Sequence, residues 1–159
     1  MLRGSSFSFG SADCGTKDRI DGLTKMAKLD FFVRYPEFFA RVSAHIRKED
    51  VRLPKGVESR MVRHHYGPWD KRYYHVLAYL EGKGLISVGK SGAFQFELTD
   101  LGKQTANTLK DRDAFNGLVT QMKAVKKELG NKTGSVLKKL IYQVFDKEVA
   151  DKALGEIIR

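Results

Sequence analysis

The sequence contains a single cysteine, Cys14, so it cannot build an intramolecular disulfide framework or a cysteine-based structural zinc site, and a reducing compartment is expected. Apolar residues never run on for the roughly 18 positions that a membrane helix needs. The opening stretch MLRGSSFSFGSADCG also lacks the continuous apolar block of a secretion signal. A soluble, cytoplasmic protein without membrane contact is the expectation. Negative charge is the other shortage. Asp and Glu total 19 against 29 Lys and Arg, a net charge of +10, which makes a polyanion the first partner to consider. No serine sits in a nucleophile turn, and no two acidic residues are placed for acid–base work, so the residues argue against an enzyme. His64, His65 and His75 have no Cys or carboxylate at ligand spacing, so neither a metal site nor a cofactor is expected.

What is present fits one domain of 159 residues, with 42% hydrophobic residues to build a core. Residues 1–17 alternate Ser, Phe and Gly without a helical period and read as a flexible tail or a mis-called start. From Asp18 onward Leu23, Met26, Leu29 and Val33 recur three or four apart, which predicts a helix with Asp21 or Thr24 as its cap. Pro36 ends it and pushes Tyr35 toward an extended conformation. Phe38, Phe39 and Val42 mark a second amphipathic piece, and Lys48 to Gly56 reads as a loop. A short helix is predicted over Val57 to Tyr66, stopped by Gly67-Pro68. Asp70 stands where an N-cap belongs, before a helix whose inward stripe is Tyr73, Val76, Leu77 and Leu80. Gly82 and Gly84 close that helix. LISV and AFQFELT then read as two strands joined by a tight turn from Gly89 to Gly92. Beyond Thr99 the helical period returns through Leu109, Phe115, Leu118, Met122, Val125 and Leu129. It recurs in Leu137, Leu140, Ile141, Val144 and Phe145, and the C-terminal third reads as wholly helical.

Three helices, a hairpin and a Leu-Thr-x-x-Gly re-entry into a fourth helix make the order of a winged helix-turn-helix. The predicted fold class is therefore mainly α with a small β-hairpin: a winged helix-turn-helix over 18–105 and a C-terminal helical extension over 106–159. In such folds the helix before the hairpin enters the major groove. Here Lys71, Arg72, His75 and Tyr79 fall opposite the apolar stripe, Lys90 sits at the hairpin tip, and Arg60 and Arg63 can extend the basic surface. These seven residues are the candidate contacts to double-stranded DNA. Tyr73 and Tyr74 read as core and capping aromatics. Residues 41–90 carry 11 Lys/Arg against 5 Asp/Glu, together with all four histidines. Residues 84–91, GLISVGKS, match the phosphate-loop pattern in letters only, because they follow a helix and feed a strand where a phosphate loop opens a helix.

Through YLEGKGLI and FELTDLG the core resembles winged-helix proteins of the PadR and MarR type. The segments KLDFFVRYP (28–36), ESRMVRHHYGPWDKRYY (58–74), LKKLIYQVF (137–145) and LGEIIR (154–159) resemble the middle components of prokaryotic three-component defence systems built around an ABC-type ATPase. That resemblance implies a non-catalytic accessory subunit working beside an ABC/SMC-type ATPase and an effector, in defence against phage and mobile DNA. Two roles stay open, DNA engagement by the winged helix and docking of the ATPase without DNA contact. An antitoxin-like transcriptional repressor is a third. Leu137, Ile141, Leu154, Ile157 and Ile158 are the candidate partner-binding residues, on helices that either complete the core or form a docking or homodimer surface.

Overall fold

The structure, a computed structural model, describes residues 19–48, 61–64, 67–145 and 157–158, with the backbone alone given for 61–64, 67 and 157–158. In chain order the described elements are β1 (Arg19–Asp21), α1 (Leu23–Arg34), α2 (Pro36–Arg47), β2 (Met61–His64) and β3 (Gly67–Trp69). They continue as α3 (Tyr73–Gly82), β4 (Ile86–Ser91), β5 (Ala93–Leu98), α4 (Asp100–Lys110), α5 (Asn116–Leu129), α6 (Gly134–Val144) and β6 (Ile157–Ile158). The protein is thus mainly helical with small antiparallel sheets.

The core is built on α1. Its apolar face buries Ala27, Phe31 and Phe32, and α1 packs against α2, α5 and α6. Those helices contribute Phe38 and Val42, Val125 and Leu129, and Leu137 and Ile141, with Phe145 just beyond α6. The rings of Phe31 and Phe38 stand 5.2 Å apart and those of Phe38 and Phe145 4.6 Å. Each such side chain contributes roughly 1.5–3 kcal/mol on burial, so this cluster is the main source of stability. Pro36 divides α1 from α2 as expected: Tyr35 takes φ −119° and ψ 79°, and the proline opens α2 where its missing N–H costs nothing. Polar links tie the layers together. Ser43 Oγ donates to Glu128 at 2.6 Å, Arg47 Nε pairs with the same carboxylate at 3.0 Å, and Gln121 donates to the Phe32 carbonyl at 2.9 Å.

One sheet has the order β1-β5-β4, antiparallel throughout, with Ile20 opposite Phe96 and Val88 opposite Phe96 on its other side. The second has the order β3-β2-β6. Several expectations are corrected here. Arg19–Asp21 is a strand, so α1 begins only after Gly22, whose φ of +92° no Asp21 or Thr24 cap could replace, and whose N–H donates to the Phe94 carbonyl at 2.7 Å. The helix expected over Val57 to Tyr66 is in part β2, hairpinned to β3 with Arg63 opposite Pro68. The rest of that segment lies outside the described residues. A proline at a sheet edge fits, because it has no N–H to give to a neighbour.

The C-terminal third is not wholly helical. Ile157 and Ile158 form β6, antiparallel to Val62 and Met61, so they do not share a helical stripe with Leu154, which lies outside the described residues. Leu137 and Ile141 are fully buried against α1, which takes them out of the proposed partner surface and makes them core. The expected boundary at 105/106 falls inside α4. In the opposite sense, Leu109, Leu118 and Met122 keep the helical period yet remain exposed. No helix among the described residues is long and apolar enough to cross a membrane.

Candidate nucleic-acid interface

The helix–hairpin–helix unit from α3 to α4 is held at both ends by polar contacts. At the start, the Asp70 carboxylate accepts the Arg72 N–H at 2.9 Å, and the Asp70 carbonyl accepts the Tyr73 N–H at 3.2 Å. Asp70 therefore shapes the turn into α3 without occupying the N-cap position, which falls to Arg72. Asp70 also belongs to a network that joins α3 to α1. Arg34 reaches Asp70 at 2.7 Å and Asp30 at 2.6 Å, and the Tyr73 hydroxyl donates to Asp30 at 2.6 Å. Bonds from Arg72, aided by Arg34 and opposed by burial, hold the Asp70 carboxyl well below the usual carboxylate range. Burial, reinforced by the Asp30 charge, pushes the Tyr73 phenol above its ordinary value.

At the other end, the Thr99 hydroxyl donates to the Gly84 carbonyl at 2.6 Å and accepts the Gly102 N–H at 3.0 Å. One side chain thus fastens the end of α3, the base of the hairpin and the first turn of α4. Gly102 packs so closely beneath the Leu85 carbonyl that no Cβ could be placed there. Gly92, with φ +75°, turns the hairpin tip between Ser91 and Ala93.

On α3 the inner face is narrower than the sequence pattern implies. Tyr73 is buried and Leu77 and Leu80 partly so, but Val76 is 50% exposed and Tyr74 61%. The expected stripe thus loses Val76, and Tyr74 is not a core residue. Lys71, His75 and Tyr79 project to solvent as expected, and Lys83 joins them with its ammonium 5.4 Å from the centre of the Tyr79 ring. Sequence reasoning missed Lys83, although His75, Tyr79 and Lys83 lie at i, i+4 and i+8. At the tip Lys90 stands opposite Phe94 in the register, with its ammonium 5.7 Å from that ring. Arg72 differs from the others. Its side chain is 67% exposed, but the guanidinium is already committed to Asp70 through Nη2 at 2.6 Å and Nε at 3.0 Å, so it positions the helix. Arg60 lies outside the described residues, and of Arg63 only the backbone in β2 is placed.

Residues 84–91 form the end of a turn and an edge strand, so the glycine-lysine-serine run does not open a helix. Among the described residues no group of three or more His, Cys, Asp or Glu side chains is assembled. Charge is less concentrated here than residues 41–90 promised, since residues 67–115 carry seven Lys/Arg against six Asp/Glu. Comparison with known proteins finds no matching family model, no matching curated protein and no matching solved structure.

Proposed function

We propose that the chain is a non-catalytic winged-helix protein that binds double-stranded DNA through the outer face of α3 and the tip of the β4–β5 hairpin. The observation that carries this reading is the exposed pair His75 and Tyr79 on a helix fixed at both ends, with exposed Lys71 in the turn before it, Lys83 at its C-cap and Lys90 on the adjoining hairpin. The succession of helix, hairpin and re-entrant helix, with β1 paired beside β5, supports the reading. Its lysines and hydroxyls suit phosphate contact, and the exposed His75 and Tyr79 carry polar groups of the kind that read base edges. The wider setting, an accessory subunit beside an ABC/SMC-type ATPase in antiviral defence, rests on the sequence resemblance alone.

The test is fluorescence anisotropy on a labelled duplex across salt concentrations, comparing the parent with Lys71→Gln, Lys83→Gln and Lys90→Gln combined. Each lost phosphate contact lowers the log–log salt slope by about 0.9, so a drop on the order of 2–3 is expected. An unchanged slope in a folded variant rejects this surface. A second reading, docking of a protein partner without DNA contact, draws on the exposed Tyr74, Val76 and Leu101 and on the near-balanced charge of this unit. Co-purification of an ATPase that survives the triple substitution and is lost on Val76→Asp favours that alternative.

A further inference from the structure

A further part of the described chain's positive charge lies on α5, on α6 and in the turn between them. Residues 116–145 contain six lysines and one acidic residue, Glu128. That carboxylate is turned inward, held by Ser43 at 2.6 Å and by Arg47 at 3.0 Å, so it does not offset the lysines at the surface. On α5, Lys123, Lys126 and Lys127 are exposed at i, i+3 and i+4, on the side opposite the buried Val125 and Leu129. On α6, Lys138 and Lys139 line a shallow groove with Ser135, Tyr142 and Gln143, a set without a carboxylate. The first turns of both helices also lack an acidic side chain to neutralise the positive end of the helix dipole. Burial, and after it the charge of Lys138, hold the buried Lys28 amine below its ordinary value.

We infer that the outward faces of α5 and α6 form a second contact surface for the phosphate backbone of duplex nucleic acid, apart from α3 and the hairpin. The inference rests on the chain being a nucleic-acid binder and adds where most of its sequence-independent affinity arises. Lys123, Lys127 and Lys139, in a described stretch with one acidic residue, form the kind of cluster that counterion release rewards. The groove's neighbours decide between anionic surfaces. Ser135, Tyr142 and Gln143 offer hydroxyls and an amide of the kind that bond phosphate and sugar oxygens, whereas the exposed Val136 is a single aliphatic side chain beside Lys139, short of the aromatic or leucine-rich face that a membrane anchor uses. Because α5 and α6 pack chiefly on α1 and α2, the two surfaces are built on different helices. One chain then has the means to hold a duplex along two faces or to bridge two duplexes.

The experiment uses the full chain with Lys123→Gln, Lys127→Gln and Lys139→Gln combined, the corresponding Lys→Arg triple, and the α3–hairpin triple described above. Anisotropy on a duplex of about 30 base pairs between about 50 and 200 mM KCl gives the salt slope. The expected result is a slope lower by about 2–3 and an affinity at least tenfold weaker at the lower salt for the Gln triple, with parental values in the Arg triple. Circular dichroism and thermal unfolding verify that each variant is folded. Parental binding by the folded Gln triple overturns the inference, as does equal loss in the Arg triple, which would point to packing instead of charge. Binding to phosphatidylglycerol vesicles that the Gln triple abolishes while duplex affinity is unchanged also overturns it, in favour of a membrane surface. Failure of the α3 surface is separable: there the α3–hairpin triple binds like the parent while the α5–α6 triple does not.

Discussion

Lys28 offers the sharpest test of how this fold is balanced. It is fully buried on α1, and its ammonium donates to the Pro68 carbonyl at 3.2 Å. Burial, and then the Lys138 charge, lower its pKa from 10.5 to about 7. That displacement corresponds to about 5 kcal/mol of cost for the charged form, taken as an upper bound. The sign follows from proton binding. Below about pH 7 both folded and unfolded chains carry the proton, and the folded state bears the whole cost. Between about 7 and 10.5 the unfolded chain binds more protons, so stability rises with pH, and above that range the cost is gone. Lys28→Met keeps the stem volume and removes the charge, while leaving the Pro68 carbonyl without this donor at about 1–3 kcal/mol. At about pH 6 the variant should be more stable by roughly 2–4 kcal/mol, and by about pH 11 it should be less stable by roughly 1–3 kcal/mol. Urea unfolding followed by Trp69, the one tryptophan, next to Pro68 in β3, reads both values. Taking the difference between the two proteins cancels every other titrating group. A difference that stays constant across this range, or a variant already weaker at about pH 6, would refute the reasoning.

Two further outcomes follow from the ends of the α3 unit. Asp70→Asn should cost about 2–3 kcal/mol by removing the charge that partners the part-buried Arg34. Because the Asp70 pKa is depressed, its contribution is present above the ordinary carboxylate range and lost as pH falls through the folded value. The variant should therefore show a flatter acid limb in a melting-temperature profile. Gly102→Ala should cost at least about 3 kcal/mol, since the added carbon meets backbone at the Leu85 carbonyl, whereas Gly117→Ala, open on α5, should be neutral or stabilising in the same thermal melt.

Local signals in the sequence are strong where side chains act on their own backbone. Pro36 separating two helices, Thr99 capping α4 and the hairpin turned at Gly92 are legible because a missing N–H, a hydroxyl and a positive φ each act within four residues. Ile157–Ile158 pairing with Met61–Val62 is not legible, because nearly a hundred positions separate the partners and a two-residue strand carries no period of its own. The same holds for β1, three residues long and specified by its partner β5. Apolar period alone also misjudged direction: Leu137 and Ile141 look no different from Leu118 and Met122 on a helical wheel, yet the first pair is core and the second is exposed. At the interface, the outward residues of α3 could be read from spacing. The commitment of Arg72 to Asp70 could not, because it depends on the turn geometry that aims both side chains.

What joins the two basic surfaces is α1, which contributes to neither. Its apolar face, Ala27, Phe31 and Phe32, sits in the core shared with α5 and α6, while Asp30 and Arg34 hold Asp70 and Tyr73 at the head of α3. Gly22, just ahead of α1, is hydrogen-bonded to β5 of the hairpin. Orientation of the α3 unit relative to the α5–α6 face is therefore set in part through this helix, by ionic links at one end and a backbone bond at the other, beside the direct packing of β3 on α6. Packing of aromatic rings is stiff and unforgiving of displacement, so the core fixes α1, and a few partly buried ion pairs then suffice to aim α3 from it. On this logic the polar network is not chiefly a source of stability, since desolvation offsets much of what such pairs gain. Its contribution is geometric: it selects one placement of a helix whose own apolar face, reduced to Tyr73, Leu77 and Leu80, is too small to select it alone.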